Sequence, residues 1–169
     1  MDQKKGLLPI IILLLFSLLV SMWVWKNVPI QSVPDVSQMK MKSADVDSLL
    51  AEGKPVLLNI SSDGCPYCVI MGPHLEQIYM RYGQNAVIRE INASDYPEVA
   101  MRLPVRGTPV QYFFYADGSP YEPSENVWKQ MNFLYYTLES SNRHVLTAHE
   151  GMMTAEQMEL VLQDMGVKV

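Results

Sequence analysis

The sequence predicts an α/β protein with a mixed central sheet flanked by helices, preceded by an apolar segment. The first observation behind this prediction is the order of the segments, which runs βα, βα, and then two strands and a closing helix. The second is the run PVLLNIS at 55–61, whose lack of polar alternation is typical of a strand buried on both faces. The third is a charge-free run near the start of the chain that is about long enough to cross a bilayer.

Composition indicates one globular domain with an apolar appendage. Of the 169 residues, 49% are hydrophobic and 18% are charged, which is ordinary for a folded protein. The formal net charge is -5, and the chain beyond the apolar segment is acidic without a cluster of lysine or arginine. We therefore expect no nucleic-acid partner.

The charge-free run at 7–25 follows Lys4 and Lys5 and ends in two tryptophans, which suit a membrane interface. We expect a transmembrane anchor here, with residues 1–6 in the cytoplasm. A cleaved secretory signal is the alternative, but the run is longer than a usual signal core and no small-x-small site follows it. Either alternative places the rest of the chain on the periplasmic or outer side of the cytoplasmic membrane.

The polar segment 26–42 contains two prolines and is predicted to be a tether between the membrane and a domain that spans 43–169. The domain begins with a short helix that Ser43 caps and Gly53 closes, followed by the strand at 55–61. The remaining elements are a helix at 66–82, a strand at 86–92, a short helix at 96–103, strands at 110–115 and 144–150, and a helix at 154–166 that Thr154 caps.

Residues 119–142 exceed what a hairpin connection needs, and they are predicted to form a helical insertion before the last strand. Ser124 suits the N-cap of this helix. Two interpretations remain open: a helix packed on the edge of its own domain, or a lid or docking element whose aromatic residues exceed what one stripe can bury. The predicted stripe consists of Val127, Met131, Leu134 and Leu138.

The stretch SSDGCPYCVIMGP, residues 61–73, contains both cysteines of the chain, Cys65 and Cys68. Cys65 falls at the predicted start of a helix, and Pro66 suits the first helical position, where its missing N–H costs nothing. Unpaired backbone N–H groups and the positive end of the helix dipole then face the Cys65 sulfur and favour its thiolate. We expect Cys65 to attack a disulfide and Cys68, nearly one turn later, to resolve the mixed disulfide.

Other uses of the cysteine pair have less support. A disulfide across so short a loop would add little stability, and zinc usually needs four ligands, which one pair does not supply. We therefore predict no metal and no cofactor other than the redox-active pair itself. Copper delivery stays an alternative, because Met71 and His74 lie near the pair and thiolate and thioether ligands suit Cu(I).

The stretch KPVLLNISSDGCPYCVIMGPHLEQI and the later stretch VRGTPVQYFFYADG resemble the thioredoxin superfamily. The resemblance runs from about residue 43 to residue 166, apart from the insertion, and implies a thioredoxin-like fold. It also implies that Cys65 is the nucleophile and Cys68 the resolving thiol. Thr108 and Pro109 resemble the segment with a cis bond that faces the two sulfurs and binds a substrate strand through its backbone.

Two departures from the family pattern affect the site. Asn59 stands where typical thioredoxins carry a buried aspartate, and Glu90 stands where they often have lysine. We hypothesise that Glu90 replaces the missing acid in proton transfer, while a buried amide satisfied by backbone is the alternative for Asn59. Pro66 and Tyr67, which we place in the substrate-binding region, form the dipeptide typical of glutaredoxins and predict a potential less reducing than that of thioredoxin.

Together these features predict a membrane-tethered, extracytoplasmic thiol–disulfide oxidoreductase that reduces the disulfides of exported proteins. The resemblance implies that a membrane electron donor recharges the pair. A disulfide oxidase or isomerase, and a copper metallochaperone, are alternatives that would use the same two cysteines.

Overall fold

The apolar segment near the start of the chain forms helix α1 (Leu7–Asn27). The computed structural model describes residues 7–27 and 34–169, and the chain divides into two units between residues 33 and 34. Over the described residues, no helix combines the length and the apolarity that crossing a bilayer requires. The anchor at 7–25 stays a prediction, and the predicted cytoplasmic residues 1–6 lie outside the described part of the chain.

The second unit begins with residues that the sequence predicts to be tether. Met39 is only 1% exposed and belongs to the core. Lys40 pairs with Glu90 in a parallel bridge, which gives this segment backbone partners in the domain. Of the predicted tether at 26–42, residues 34–42 therefore belong with the domain, while residues 28–33 lie outside the described residues.

The domain alternates strands and helices in the order that the sequence predicts, apart from the insertion, and most element boundaries agree to within a few residues. A short 3-10 helix at Val36–Gln38 precedes them. The elements are α2 (Val46–Leu50), β1 (Val56–Ser61), α3 (Pro66–Tyr82), β2 (Val87–Asn92), α4 (Val99–Arg102), β3 (Val110–Phe114), α5 (Glu125–Gln130), β4 (Leu134–Leu138), β5 (Arg143–Glu150) and α6 (Ala155–Asp164).

In the described part of the chain the strands form a five-stranded sheet with the order β2-β1-β3-β5-β4. β1 and β2 are parallel, and the other neighbouring pairs are antiparallel. The predicted change from parallel to antiparallel pairing is confirmed, and α3 provides the crossover that a parallel pair needs. Every residue of β1 is buried, as its lack of polar alternation indicates.

Apolar side chains cover both faces of this sheet. On one face Leu57 of β1 packs with Leu75 of α3 and Met158 of α6, and all three are fully buried. On the other face Leu49 of α2 and Val99 of α4 complete a second cluster. Full burial of such a side chain contributes about 1.5–3 kcal/mol, so the layer that contains Leu75 holds α3 firmly against the sheet and fixes the position of its first turn.

The insertion at 119–142 is only partly helical, so the prediction of a helical insertion is wrong in its second half. α5 begins after Ser124, whose hydroxyl accepts a hydrogen bond from the Val127 N–H as predicted. Val127 and Met131 are buried, but Leu138 is 41% exposed and lies in the edge strand β4. The sequence LYYTL of β4 has strong strand propensity, and its pairing with β5 outweighs the helical spacing.

Candidate active site

The two cysteines lie where the loop after β1 enters α3. Cys65 is the N-cap residue of this helix, and Pro66 occupies its first turn. The Cys68 N–H donates to the Cys65 Sγ over 3.1 Å, so one of the otherwise unpaired N–H groups of the helix start points at the sulfur. The predicted position of Cys65 at the beginning of the helix is confirmed.

Cys65 and Cys68 form a disulfide. Both residues are half-buried, so the pair lies at the surface of the domain and not in its core. The apolar side chains of Tyr67, Val69 and Ile70, on the same first turns of α3, are 62%, 76% and 53% exposed. Exposed apolar side chains beside a disulfide are typical of a surface that contacts another protein chain.

The loop that precedes β3 faces the disulfide. The Thr108–Pro109 peptide bond is cis, as the resemblance implies. The carbonyl oxygen of Thr108 lies 3.3 Å from the Cys65 Sγ, and its hydroxyl lies 2.6 Å from the hydroxyl of Ser62. The structure thus brings Cys65, Cys68 and Thr108–Pro109 together, while their catalytic and substrate-binding roles stay predictions.

Side chains near the end of β2 hold the loop that leads to Cys65. The Asp63 N–H donates to the Ser94 hydroxyl over 2.9 Å, and the Asn92 amide donates to the Asp63 carboxylate over 2.8 Å. Gly64 has a φ of +70°, in the left-handed region that glycine adopts readily. These contacts fix the turn from which the helix and its N-cap sulfur emerge.

Asn59 of β1 is only 2% exposed, and it lies opposite Glu90 in the register of β1 and β2. Its Nδ2 donates to the Glu90 carboxylate over 3.3 Å, and its Oδ1 accepts from Gln111 over 3.1 Å. Side chains therefore satisfy this amide, and the alternative that backbone groups satisfy it is wrong. The role of Asn59 and Glu90 in proton transfer stays a hypothesis.

Two further polar residues beneath the site, Gln111 of β3 and His149 of β5, were not predicted. Gln111 is fully buried and His149 is 9% exposed. The His149 Nδ1 lies 3.0 Å from the Gln111 Oε1. A signal for Gln111 was available, because an amide within the otherwise apolar run VQYFFY needs buried partners. Burial lowers the pKa of His149 below its usual value.

The methionine that the copper alternative uses is buried, whereas the histidine lies nearer the surface. Met71 is 1% exposed, and its Sδ accepts a hydrogen bond from the Gln111 Nε2 over 3.4 Å. His74 lies further along α3 and is half-buried. Among residues 7–27 and 34–169, no group of three or more His, Cys, Asp and Glu side chains is arranged to hold a metal ion.

Comparison with known proteins identifies the family. Residues 43–135, just over half of the chain, match the thioredoxin-like domain. The chain belongs to the thioredoxin-like family. The thioredoxin-like fold that the sequence predicts is therefore confirmed, and together with the Cys-x-x-Cys pair it supports a thiol redox role in general terms.

The relatives of this thioredoxin-like protein include chloroplastic proteins of plants. It is 31% identical over 88 residues to the thioredoxin-like protein CITRX of Oryza sativa subsp. indica. The matched segment covers 51% of this chain and 47% of that protein. It is 30% identical over 80 residues to CITRX1 of Nicotiana benthamiana, which covers 46% and 44%. The chain thus spans a little under half the length of these curated relatives.

Two solved structures show the same fold. A thioredoxin of Malassezia sympodialis, Mala s 13, superposes with a TM-score of 0.52 at 15% identity and covers 75% of this chain and 89% of that chain. Chloroplastic thioredoxin z superposes with a TM-score of 0.51 at 16% identity and covers 75% and 93%. At these identities the likeness shows the fold alone.

Proposed function

We propose that this thioredoxin-like protein is a thiol–disulfide oxidoreductase that reduces the disulfides of exported proteins. The observation that carries the proposal is the position of the Cys65 Sγ, 3.1 Å from the Cys68 N–H and 3.3 Å from the Thr108 carbonyl oxygen. In the reduced protein a helix-start N–H stabilises the thiolate. The neighbouring loop offers backbone groups to an extended substrate.

The reaction begins when the Cys65 thiolate attacks one sulfur of a client disulfide. A mixed disulfide forms, and the second client sulfur leaves as a thiolate that takes a proton from solvent. The Cys68 thiolate then attacks the Cys65 sulfur, closes the Cys65–Cys68 disulfide and releases the first client sulfur as a thiolate. Two electrons pass from the dithiol to the client, and a membrane electron donor must reduce the pair before the next cycle.

Client recognition in this proposal uses both sides of the disulfide. A strand of the client pairs with the backbone at Thr108, next to the cis bond to Pro109. Pro66 and Tyr67 contact the client from the α3 side, where Tyr67 is 62% exposed. Backbone pairing is tolerant of sequence, which suits an enzyme that acts on several exported proteins.

The proposal also places the domain outside the cytoplasm, with α1 attached to the cytoplasmic membrane. Support comes from the charge-free sequence at 7–25 and from the exposed apolar side chains along the helix, among them Leu13 and Phe16 at 68% and 65%, which need an apolar covering. Disulfides persist in such compartments. Release of the protein from membranes by alkaline carbonate would contradict attachment and leave the redox proposal intact.

Insulin reduction tests the redox proposal. We expect the full-length chain, supplied with a thiol reductant, to reduce insulin, and Cys65→Ser to abolish this activity. The matched variant Cys68→Ser should instead accumulate a mixed disulfide with its client, which a non-reducing gel detects. Tight Cu(I) retention under competition by a wild-type protein that does not reduce insulin would contradict the proposal and favour a metallochaperone.

The direction of electron flow is tested separately by thiol trapping in cells. A reductase keeps its pair mostly as dithiol, because its electron donor recharges it after each cycle. We therefore expect alkylation of both cysteines in rapidly quenched cells. A pair found mostly as disulfide would contradict the reductase assignment and indicate an oxidase.

A further inference from the structure

A row of four polar side chains crosses the sheet on the face that α3 covers. Glu90, Asn59, Gln111 and His149 occupy matching register positions on β2, β1, β3 and β5. The contact between the Gln111 Nε2 and the Met71 Sδ, 3.4 Å, places the row against the helix that carries the cysteines. Cross-strand neighbours of this kind lie close enough for direct side-chain bonds.

The hydrogen bonds of this row run in one direction. The Gly151 carbonyl only accepts, so the Gln111 group that lies 3.1 Å from it is the NH2 group. The Glu90 carboxylate accepts from the Asn59 NH2 group, which turns the Asn59 oxygen towards Gln111. The Gln111 oxygen then faces the Nδ1 of His149. Because an amide oxygen carries no hydrogen, His149 must carry its proton on Nδ1.

The surroundings of the row favour a neutral His149. Burial lowers the pKa of His149, and it outweighs a backbone hydrogen bond with Gly151 and the neighbouring carboxylate of Glu150, which both act in the opposite direction. At the other end of the row, Lys40 and Asp95 line the same surface cavity of about 200 Å³ as Glu90. A neutral imidazole with its proton on Nδ1 therefore fits both the burial and the bonding.

Gly151 connects this row to the active site. Its carbonyl oxygen accepts from Gln111, and its own N–H donates to the carbonyl oxygen of Pro109 over 2.9 Å. The Gln111 carboxamide thus holds a main-chain segment that in turn holds the cis-proline loop. Through this connection, a side chain on β5 supports the loop that lies opposite the two sulfurs.

We propose that His149 is a positioning residue of the redox site, a role that rests on the function proposed above. Its Nδ1–H holds the Gln111 oxygen, so that the Gln111 NH2 group holds Gly151 and, through it, the client-binding loop at Pro109. Without this donor a fully buried oxygen is unpaired, and Gln111 turns towards another partner. The loop loses support, whereas the contact between the Cys68 N–H and the sulfur within α3 is unchanged.

Steady-state kinetics of three variants test this role in the full-length chain, held in detergent micelles. His149→Leu removes the donor, His149→Asn keeps an N–H close to the position of Nδ1, and His74→Asn is the matched control outside the row. We expect His149→Leu to raise the KM for insulin about tenfold, which is one lost hydrogen bond. We expect the KM of His149→Asn and of His74→Asn to stay within about twofold of the wild-type value.

A second readout separates positioning from general destabilisation. The rate at which iodoacetamide alkylates Cys65 depends on its thiolate and needs no client, so it should stay unchanged, within about twofold, in His149→Leu. A KM that does not rise in this variant would overturn the proposal, and so would an alkylation rate that falls as much as insulin turnover. Failure of His149→Asn to keep the wild-type KM would overturn it as well.

The tautomer of His149 gives a test that needs neither a client nor a variant of this residue. Nitrogen-15 NMR of the wild-type chain should show the proton on Nδ1, with His74→Asn and His144→Asn used to assign the signals. A proton on Nε2 would overturn the proposal even if His149→Leu fails to fold. A wild-type chain that leaves insulin oxidised would instead refute the proposed function, while the tautomer would still report on the row.

Discussion

Tyr121 anchors the first part of the insertion to α6 through its hydroxyl. This hydroxyl donates to the Asp164 carboxylate over 2.5 Å, and the N–H of Ser124, the N-cap of α5, donates to the same oxygen over 2.9 Å. The Tyr121 ring is fully buried and packs edge-on against Phe113 and Phe133. Tyr121→Phe therefore removes one hydrogen bond and keeps the aromatic contacts.

The expected cost follows from the kind of bond that is lost. A hydrogen bond to a charged group contributes about 1.5–3 kcal/mol. Asp164 is partly exposed and keeps the Ser124 donor, so we expect Tyr121→Phe to lower the free energy of unfolding by about 1–2 kcal/mol. Asp164→Asn is the second change of a double-mutant cycle. The double variant should lose less free energy of unfolding than the two single variants lose together, because both substitutions disrupt the same hydrogen bond.

The same pair predicts a pH dependence. Burial raises the pKa of Asp164, but hydrogen bonds from Ser124 and Tyr121 outweigh it, and the pKa lies below its ordinary value. A carboxyl with a lowered pKa stabilises the folded state above its unfolded-state pKa, and this stabilisation is lost as pH falls through the folded-state pKa. The difference between wild type and Tyr121→Phe should therefore shrink below about pH 4.

Urea denaturation of the oxidised protein at neutral and acidic pH, followed by circular dichroism, measures these differences. Tyr115→Phe is the matched control, because its hydroxyl bonds only uncharged main-chain groups at an exposed site: it donates to the Glu122 oxygen over 3.1 Å and accepts from the Glu122 N–H over 3.4 Å. We expect Tyr115→Phe to lower the free energy of unfolding less than Tyr121→Phe does. Equal stability of wild type and Tyr121→Phe at neutral pH, or a loss that does not shrink in acid, would refute the reasoning.

Three further predictions concern the active site. Glu90→Gln should change the pH dependence of the rate of thiol exchange, whereas the control Glu76→Gln, on the exposed side of α3, should not. If the pH dependence is unchanged in both variants, Glu90 is excluded as the substitute acid. A redox titration of the cysteine pair should give roughly -180 to -250 mV, and a value near or below about -270 mV contradicts this. Gly64→Ala should lower the free energy of unfolding in urea by about 1–2 kcal/mol, because its φ is +70°. The control Gly72→Ala, within α3 and with open space for a Cβ, should not lower the free energy of unfolding. Equal effects of the two glycine variants would contradict the left-handed conformation of Gly64.

Most elements of the fold were predictable because local signals mark them. Pro66 and Gly83 bracket α3, and Thr154 caps α6 with a capping box. The insertion was mispredicted because helical spacing and strand propensity compete over 131–138, and only pairing with β5 decides between them. A choice that depends on a distant strand is not encoded in the local pattern.

For the candidate active site too, some features follow from local sequence motifs and others depend on how the strands pair. Cys65 and the cis bond before Pro109 belong to short motifs, and both lie where those motifs indicate. The contact of Asn59 with Gln111 was not predictable, because it depends on the register of β1 and β3, and His149 joins the row only through Gln111. Sequence could show that these polar groups need buried partners, but not which partners the sheet would provide.

The edge of the sheet that β4 forms determines how readily two copies of this protein can pair with each other. We call this edge the margin. β4 lies at that margin, and its pairing with β5 slips between Tyr136 and Thr137. The extra residue at this step is Val145 of β5, and such a bulge increases the local twist of the strand pair, which makes the margin a poorer template for self-association with a second chain. We therefore expect copies of this domain to stay separate in concentrated solution, each with its own cysteine pair available.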